Sequence, residues 1–410
     1  MEKQIKNSAT KNSAIFLYLA IILCAATFMF NRSIIQSIVI MACFGLISVA
    51  NVVFLWNQRT TVQFVIVIFT ICLSVLNSYL NGSGYGTVVA FSSLLLLLFL
   101  SKNLILSKNQ VGVLDLFGWI VILCIAIIYC KKDGIMYVNI FDNNNTRNPN
   151  GIVAIYLALG FLSYIVISNH CKLLGMKRFA MIIVFFVMSY AIYNTDARGG
   201  LFAWGVFHIV YLIYWLAKRK CDFNKKELKN FMPILSLLII LGALAFTIAY
   251  VGLYKIVGDD LIILGKNLFT GRQRIWLDAY KKLFTDLNIF IGFSNHYQFV
   301  GTYLNTHNGI LSFLCYFGII PFVFFVYLFT SSFKNTKICY IDLIKCFAII
   351  AFLANCYTEA FIADTSYWWI MIPFFINKYE VEDDKQDYSL LLVRKQSKTK
   401  NCAKMHKELA

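Results

Sequence analysis

Charge is what this sequence has least of. Charged residues make up 14% of its 410 positions, against about 25% in soluble domains, and the mean hydropathy is +0.70. That scarcity excludes water as the main solvent. No stretch is free of apolar runs for long enough to form a sizeable water-soluble domain. Runs such as Ala14 to Phe30, Val111 to Cys130 and Phe231 to Val251 recur along almost the whole chain, each near the ~20 residues a helix needs to cross a bilayer. No CxxC pair occurs among the 12 cysteines, so neither a zinc framework nor a disulfide scaffold is implied, and most thiols fall where cysteine packs as a small hydrophobe. No small-residue cleavage pattern follows the first apolar run, although Lys3, Lys6 and Lys11 precede it. It reads as a retained first helix. No internal repeat is visible.

What the sequence does have is a basic excess, 37 Lys and Arg against 20 Asp and Glu, for a net charge of +17. In a soluble protein that would point to nucleic acid; here its distribution decides. The apolar runs predict helices near 14–30, 34–56, 62–80, 87–106, 111–130, 151–168, 179–193, 201–217, 231–252, 309–330, 346–362 and 365–377. With both ends in the cytoplasm, the inward segments hold 26 of the 37 basic residues, Lys345 counted among them, and 6 of the outward 11 sit between Tyr254 and Thr306. This is a positive-inside pattern. The fold class expected is an all-α polytopic membrane protein of about twelve transmembrane helices. Residues 1–377 form its single membrane domain, with a long extracytoplasmic loop at 253–308 that carries an interfacial helix, and 378–410 form a mobile cytoplasmic tail whose basic residues lie near anionic lipid.

Polar residues concentrate on the outward side, in four segments. Asn194-Thr-Asp-Ala-Arg-Gly-Gly200 lies between two apolar runs; Asp196 and Arg198 at that depth need a partner, water or a ligand. Arg198 with backbone donors of the next helix would make an anion site, while a plain hairpin turning on Gly199 and Gly200 is the alternative. In Thr270-Gly-Arg-Gln-Arg-Ile-Trp276, Thr270 and Gln273 have capping-box spacing. Trp276, Ala279, Leu283 and Leu287 then recur at helical spacing, with Arg274, Asp278, Lys281 and Lys282 turned largely away. That pattern predicts a helix in the outer interface, anchored by Trp276. Arg272 in its first turn opposes the helix dipole unless both share an anion. Thr306-His-Asn-Gly-Ile-Leu311 offers His307, which could accept a proton from a sugar hydroxyl or merely cap the tenth helix. Arg147-Asn-Pro-Asn-Gly151 gives a helix start at Asn150 and two amides, Asn148 and Asn150, able to meet glycan hydroxyls.

Taken in order, Asn148-Pro149-Asn150, Arg198-Gly199, Gly271-Arg272 with Trp276, Gly292, and His307-Asn308 followed by Leu311, Leu314 and Gly318-Ile-Ile-Pro321 resemble the motif set of the O-antigen polymerase and ligase family of bacterial envelopes. The resemblance spans roughly residues 148–321. Ala197 stands where that family usually has Ser, and Ser294 where a second Gly is common. The resemblance implies a multi-pass enzyme of the bacterial cytoplasmic membrane with its active site facing outward. Its substrates would be glycans linked through pyrophosphate to undecaprenol, and its likeness to the polymerases implies joining of repeat units into O-antigen or capsular polysaccharide. It further implies that Arg198 and Arg272 hold the leaving pyrophosphate, that His307 is the general base, and that Asn308, Arg274, Trp276, Asn148, Asn150 and Asp196 contact substrate. No cofactor or metal and no nucleic acid enter this scheme; the partners are membrane lipids, with a flippase and a chain-length regulator alongside. Inversion is expected, because no paired carboxylates suited to a covalent glycosyl intermediate are apparent. Two alternatives stay open: a ligase that transfers the polysaccharide to lipid A core, and a polysaccharide or lipid transporter. The near absence of charge within the apolar helices speaks against the transporter.

Overall fold

The computed structural model describes residues 13–23, 25–26, 33–54, 58–104, 106–133, 149–195, 197–220, 225–258, 262–263, 266–267, 271–301, 306–333, 340–359 and 368–376. The expectations on Asn148, on Asp196, on Thr270 as a cap and on the tail 378–410 lie outside these residues, as does the side chain of Asn150. Within them the chain is helical, apart from a short antiparallel pairing of β1 (Ile262–Ile263) with β2 (Lys266–Asn267).

The helices are α1 (Ser13–Leu23), α2 (Ser33–Phe54), α3 (Gln58–Leu80), α4 (Tyr85–Asn103), α5 (Lys108–Asp133), α6 (Pro149–His170), α7 (Leu174–Tyr193), α8 (Arg198–Lys220), α9 (Lys225–Val257), α10 (Arg272–Leu283), α11 (Asn288–Ile291), α12 (Gly309–Phe317), α13 (Ile319–Ser332), α14 (Tyr340–Asn355) and α15 (Trp368–Phe375). Among the described residues, six are long and apolar enough to cross a bilayer, within α3, α4, α5, α6, α7 and α9. A helix satisfies its own backbone groups, which hydrocarbon cannot do. The spans differ in what surrounds them: 78% of the apolar window of α4 and 72% of that of α6 is buried in protein, against 11% for α7. Helices α4 and α6 therefore form the centre of the bundle. Helix α7 presents Phe179, Phe186, Tyr190 and Tyr193 at its rim, a surface too apolar and too continuous for water.

Three expectations are corrected. The tenth predicted helix, 309–330, is two helices broken at Gly318, whose φ of 76° no ordinary residue adopts comfortably. A Cβ at Gly318 would overlap the Phe290 carbonyl, and one at Gly292 would stand 2.5 Å from the Tyr316 carbonyl carbon, so the ends of α11 and α12 press on each other through two glycines. The break frees carbonyls at the end of α12, and α3 satisfies them. Asn77 Nδ2 donates to Phe317 O at 2.7 Å, and Asn81 Nδ2 to Tyr316 O at 3.2 Å and Ile291 O at 3.3 Å.

The eleventh predicted helix, 346–362, ends at Asn355 and turns tightly through Cys356 to Glu359. Finally, Lys345 is no inward-loop residue. It lies inside α14 at 0% exposure, its Nζ 2.6 Å from Asp115 Oδ1 of α5 and 3.4 Å from Ile376 O. A buried charge in hydrocarbon persists only when paired, and the pattern of apolar residues alone gave no reason to join positions 230 apart.

Candidate functional site

Four chain segments meet at one end of α9, α12 and α14. The first is the start of α10. Gly271, at φ 84°, is its N-cap and supplies no side-chain bond, and Gln273 is buried at 1% exposure. This N-cap sets Arg272 as the first helical residue. The apolar face then packs on α9 as its spacing predicts. Trp276 sits between Phe246 and Tyr250, with ring centroids 5.8 and 5.0 Å away.

The indole N–H of Trp276 donates to Thr306 O at 2.6 Å, and the residue is 1% exposed. Trp276 thus braces the second segment from below. The interfacial anchor and the substrate contact expected of it are corrected to a packing role, because the ring is buried against α9. The helix also stops at Leu283, leaving Leu287 exposed rather than on the buried face.

That second segment, Thr306 to Asn308, leads into α12. Its cap is Asn308, whose Oδ1 accepts from Leu311 N at 2.8 Å, while its Nδ2 donates to Ala243 O at 3.3 Å and Tyr357 O at 3.1 Å. The fully buried Asn308 is therefore spent on three bonds, which corrects its expected contact with substrate. It also removes the account in which His307 caps the helix. His307 instead takes φ 51°, a left-handed backbone that is rare for a residue with a Cβ, and stays partly accessible. Burial, and after it the charge of Arg272, push its imidazole down to about 4, so at neutral pH the ring is uncharged. Asn308→Asp keeps the capping oxygen but gives up both amide donors. We expect it to lose about 1–3 kcal/mol of stability, read from thermal unfolding in detergent.

The third segment is the turn after α14. Gly309 N donates to Cys356 O at 3.1 Å and to Glu359 O at 3.0 Å, which stitches this turn to the His307 segment. Glu359 points back at α10: its Oε1 lies 2.8 Å from Arg272 Nη2, with the carboxylate side chain 7% exposed and that of Arg272 25%. Burial raises the Glu359 carboxyl to about 7, the Arg272 charge and hydrogen bond opposing. The carboxyl is thus poised to exchange a proton near neutrality.

The start of α8 is the fourth segment. Gly199 and Gly200, on which the hairpin alternative would turn, are helical, and they are small for another reason. A Cβ on Gly199 would stand 2.6 Å from Thr358 Oγ1, 2.9 Å from Asn355 Oδ1 and 3.3 Å from Glu359 Cγ, and one on Gly200 would strike Val153 of α6. The Arg-Gly-Gly sequence therefore lets α8 dock flush against the Glu359 turn, with the exposed Arg198 beside it. Beneath lie Asn355, 0% exposed, and Thr358, whose side-chain N and O atoms have no hydrogen-bond partner among the described residues.

The structure thus places Arg272 beside Glu359 and close enough to His307 for its charge to act there, sets the helix start that carries Arg198 against the Glu359 turn, and leaves Arg274 exposed on α10. It adds Glu359. That residue was hidden in an apolar run read as helix 346–362, although a lone carboxylate there is itself a signal of function. No family model, no curated protein and no solved structure matches this chain.

Proposed function

We propose that the protein is a metal-independent, inverting glycosyltransferase. It joins undecaprenyl-pyrophosphate-linked repeat units into O-antigen or capsular polysaccharide at the outer face of the bacterial cytoplasmic membrane. The observation that carries this reading is the grouping of Arg272, His307 and Glu359 beside the helix start that carries Arg198, at one end of an apolar helical bundle. A pyrophosphate leaving group gathers negative charge as its bond to the sugar breaks, and two guanidiniums held by fixed helix starts stabilise that charge without reorganising. The uncharged His307 ring accepts a hydrogen bond from the acceptor hydroxyl. Twelve crossings, with 131–149 and 254–306 outside and 218–230 inside, complete the reading.

The reaction is tested with purified protein in nanodiscs and a lipid-linked repeat unit, following chain growth on gels. Arg198→Lys and Arg272→Lys should each reduce polymer at least about 100-fold, because a point charge does not reproduce a bidentate clamp; full activity of both variants removes the clamp. In cells, deletion of the gene distinguishes the polymerase from the ligase. Single repeat units on core indicate a polymerase, and long lipid-linked chains missing from core indicate a ligase. The topology has its own measurement. Lys225→Cys on a cysteine-free background should resist an impermeant thiol reagent in intact cells, and its labelling reverses the arrangement.

A further inference from the structure

We propose that Glu359 is the group that takes the proton from the attacking sugar hydroxyl, a catalytic role that the motifs of the sequence do not reveal. This rests on the glycosyl-transfer reading above. The argument is geometric first. The carboxylate lies between the start of α8, through Gly199, and the start of α10, through Arg272, and its own backbone carbonyl is tied to the His307 segment by Gly309 N. The Arg272 guanidinium touches this carboxylate, and the helix start that carries Arg198 and the backbone of the His307 segment adjoin it. Among the described residues, Arg272 of α10 is the charged group that acts on it, and the titratable or charged residues of the adjoining segments are His307 ahead of α12, Arg198 next to Gly199 in α8, and Tyr357 in its own turn.

Chemistry then separates the two candidate bases. His307, held near 4, is too weak a base to keep a proton at neutral pH, whereas Glu359, near 7, holds and releases one there. The Arg272 pair gives the carboxylate a further property. Arg272 lowers the proton affinity of Glu359 in the resting site. An arriving pyrophosphate that engages Arg272 weakens that restraint and adds negative charge nearby, so the carboxylate becomes the stronger base when both substrates are present. In the step itself, the bond between the anomeric carbon and the pyrophosphate oxygen breaks, and its electron pair leaves with the pyrophosphate. The acceptor oxygen forms the new bond to that carbon, its proton passes to the Glu359 carboxylate, and water later removes it. His307 acts as a positioning residue that orients the hydroxyl.

The test uses full-length protein in nanodiscs with the lipid-linked repeat unit, and follows initial rates from pH 5.5 to 9. The wild type should show a rising limb near pH 7. Glu359→Gln, which keeps a hydrogen bond to Arg272, should lose at least about 100-fold at every pH, with monodisperse elution and unchanged melting showing that it folds. Glu359→Asp should retain measurable activity with the limb displaced. His307→Asn should lower the rate but leave the limb where it is. A Glu359→Gln rate within threefold of wild type overturns the proposal, and so does a limb that stays fixed in Glu359→Asp and moves in His307→Asn. A wild type that transfers no sugar at any pH takes down the glycosyl-transfer reading and this one with it. An active wild type with an active Glu359→Gln takes down this one alone.

Discussion

Lys345→Met should lower the stability of the folded protein by about 3–5 kcal/mol, because it removes the cation paired with the buried Asp115. Both side chains are buried, 0% and 1% exposed, and 2.6 Å apart, so solvent has no route to screen the remaining carboxylate. The pair joins α5 to α14, and the bond from Lys345 to Ile376 O extends it to the end of α15. The double variant Lys345→Met with Asp115→Leu should recover most of the loss, since replacing a buried pair with apolar residues of similar volume is often neutral. Thermal unfolding of the three proteins in one detergent decides the matter. Equal melting of the wild type and Lys345→Met would show that the pair carries little of the stability.

Gly318→Ala is the second substitution with a large expected cost. The left-handed backbone alone costs about 1–2 kcal/mol for a residue with a Cβ, and the added methyl would overlap the Phe290 carbonyl. Because that atom belongs to backbone held by Asn81 through Ile291 O, the strain cannot be relieved by a side-chain rotation. We expect loss of the α11–α12 contact and a steep fall in the amount of folded protein in the membrane. Gly271→Ala provides the contrast: its φ of 84° and ψ of −13° lie in the left-handed region, which a residue with a Cβ enters at lower cost than the φ 76°, ψ 178° of Gly318, and a Cβ there meets nothing within 4 Å, so only a backbone cost should appear. Matching yields from the two variants would show that the close approach at Gly318 does not matter.

The parts of this molecule that were legible in the sequence are those set by local periodicity. Apolar runs near bilayer length gave the helices, and the spacing of Trp276, Ala279 and Leu283 gave the buried face of α10. Arg272 at a helix start followed from the same reasoning. What stayed hidden depends on partners distant in sequence. Nothing near Gly318 says that its neighbour will be the Phe290 carbonyl, so a run of apolar residues was read as one helix. Lys345 looks like the basic end of a loop until Asp115 is placed beside it, and Glu359 looks like a flaw in an apolar run until Arg272 arrives from 87 residues away. Asn308 shows the converse error. A polar residue next to a candidate base invites a chemical role, whereas a helix start 0% exposed has three backbone groups to satisfy and takes the whole amide for them.

Asn77 in α3 and Asn81 just after it also set when one contact of the bundle can form. Asn77 and Asn81 are made early, but the carbonyls they bind in α12 lie 240 and 235 residues downstream. At the elongation rates of about 5–20 residues per second typical of synthesis, their acceptors arrive tens of seconds after α3 has entered the bilayer. During that interval both amides must borrow other partners, water at the membrane surface or an attendant insertion factor. The packing of α3 on α2 and α4 needs no later segment, and only its contact with the broken helix waits for α12.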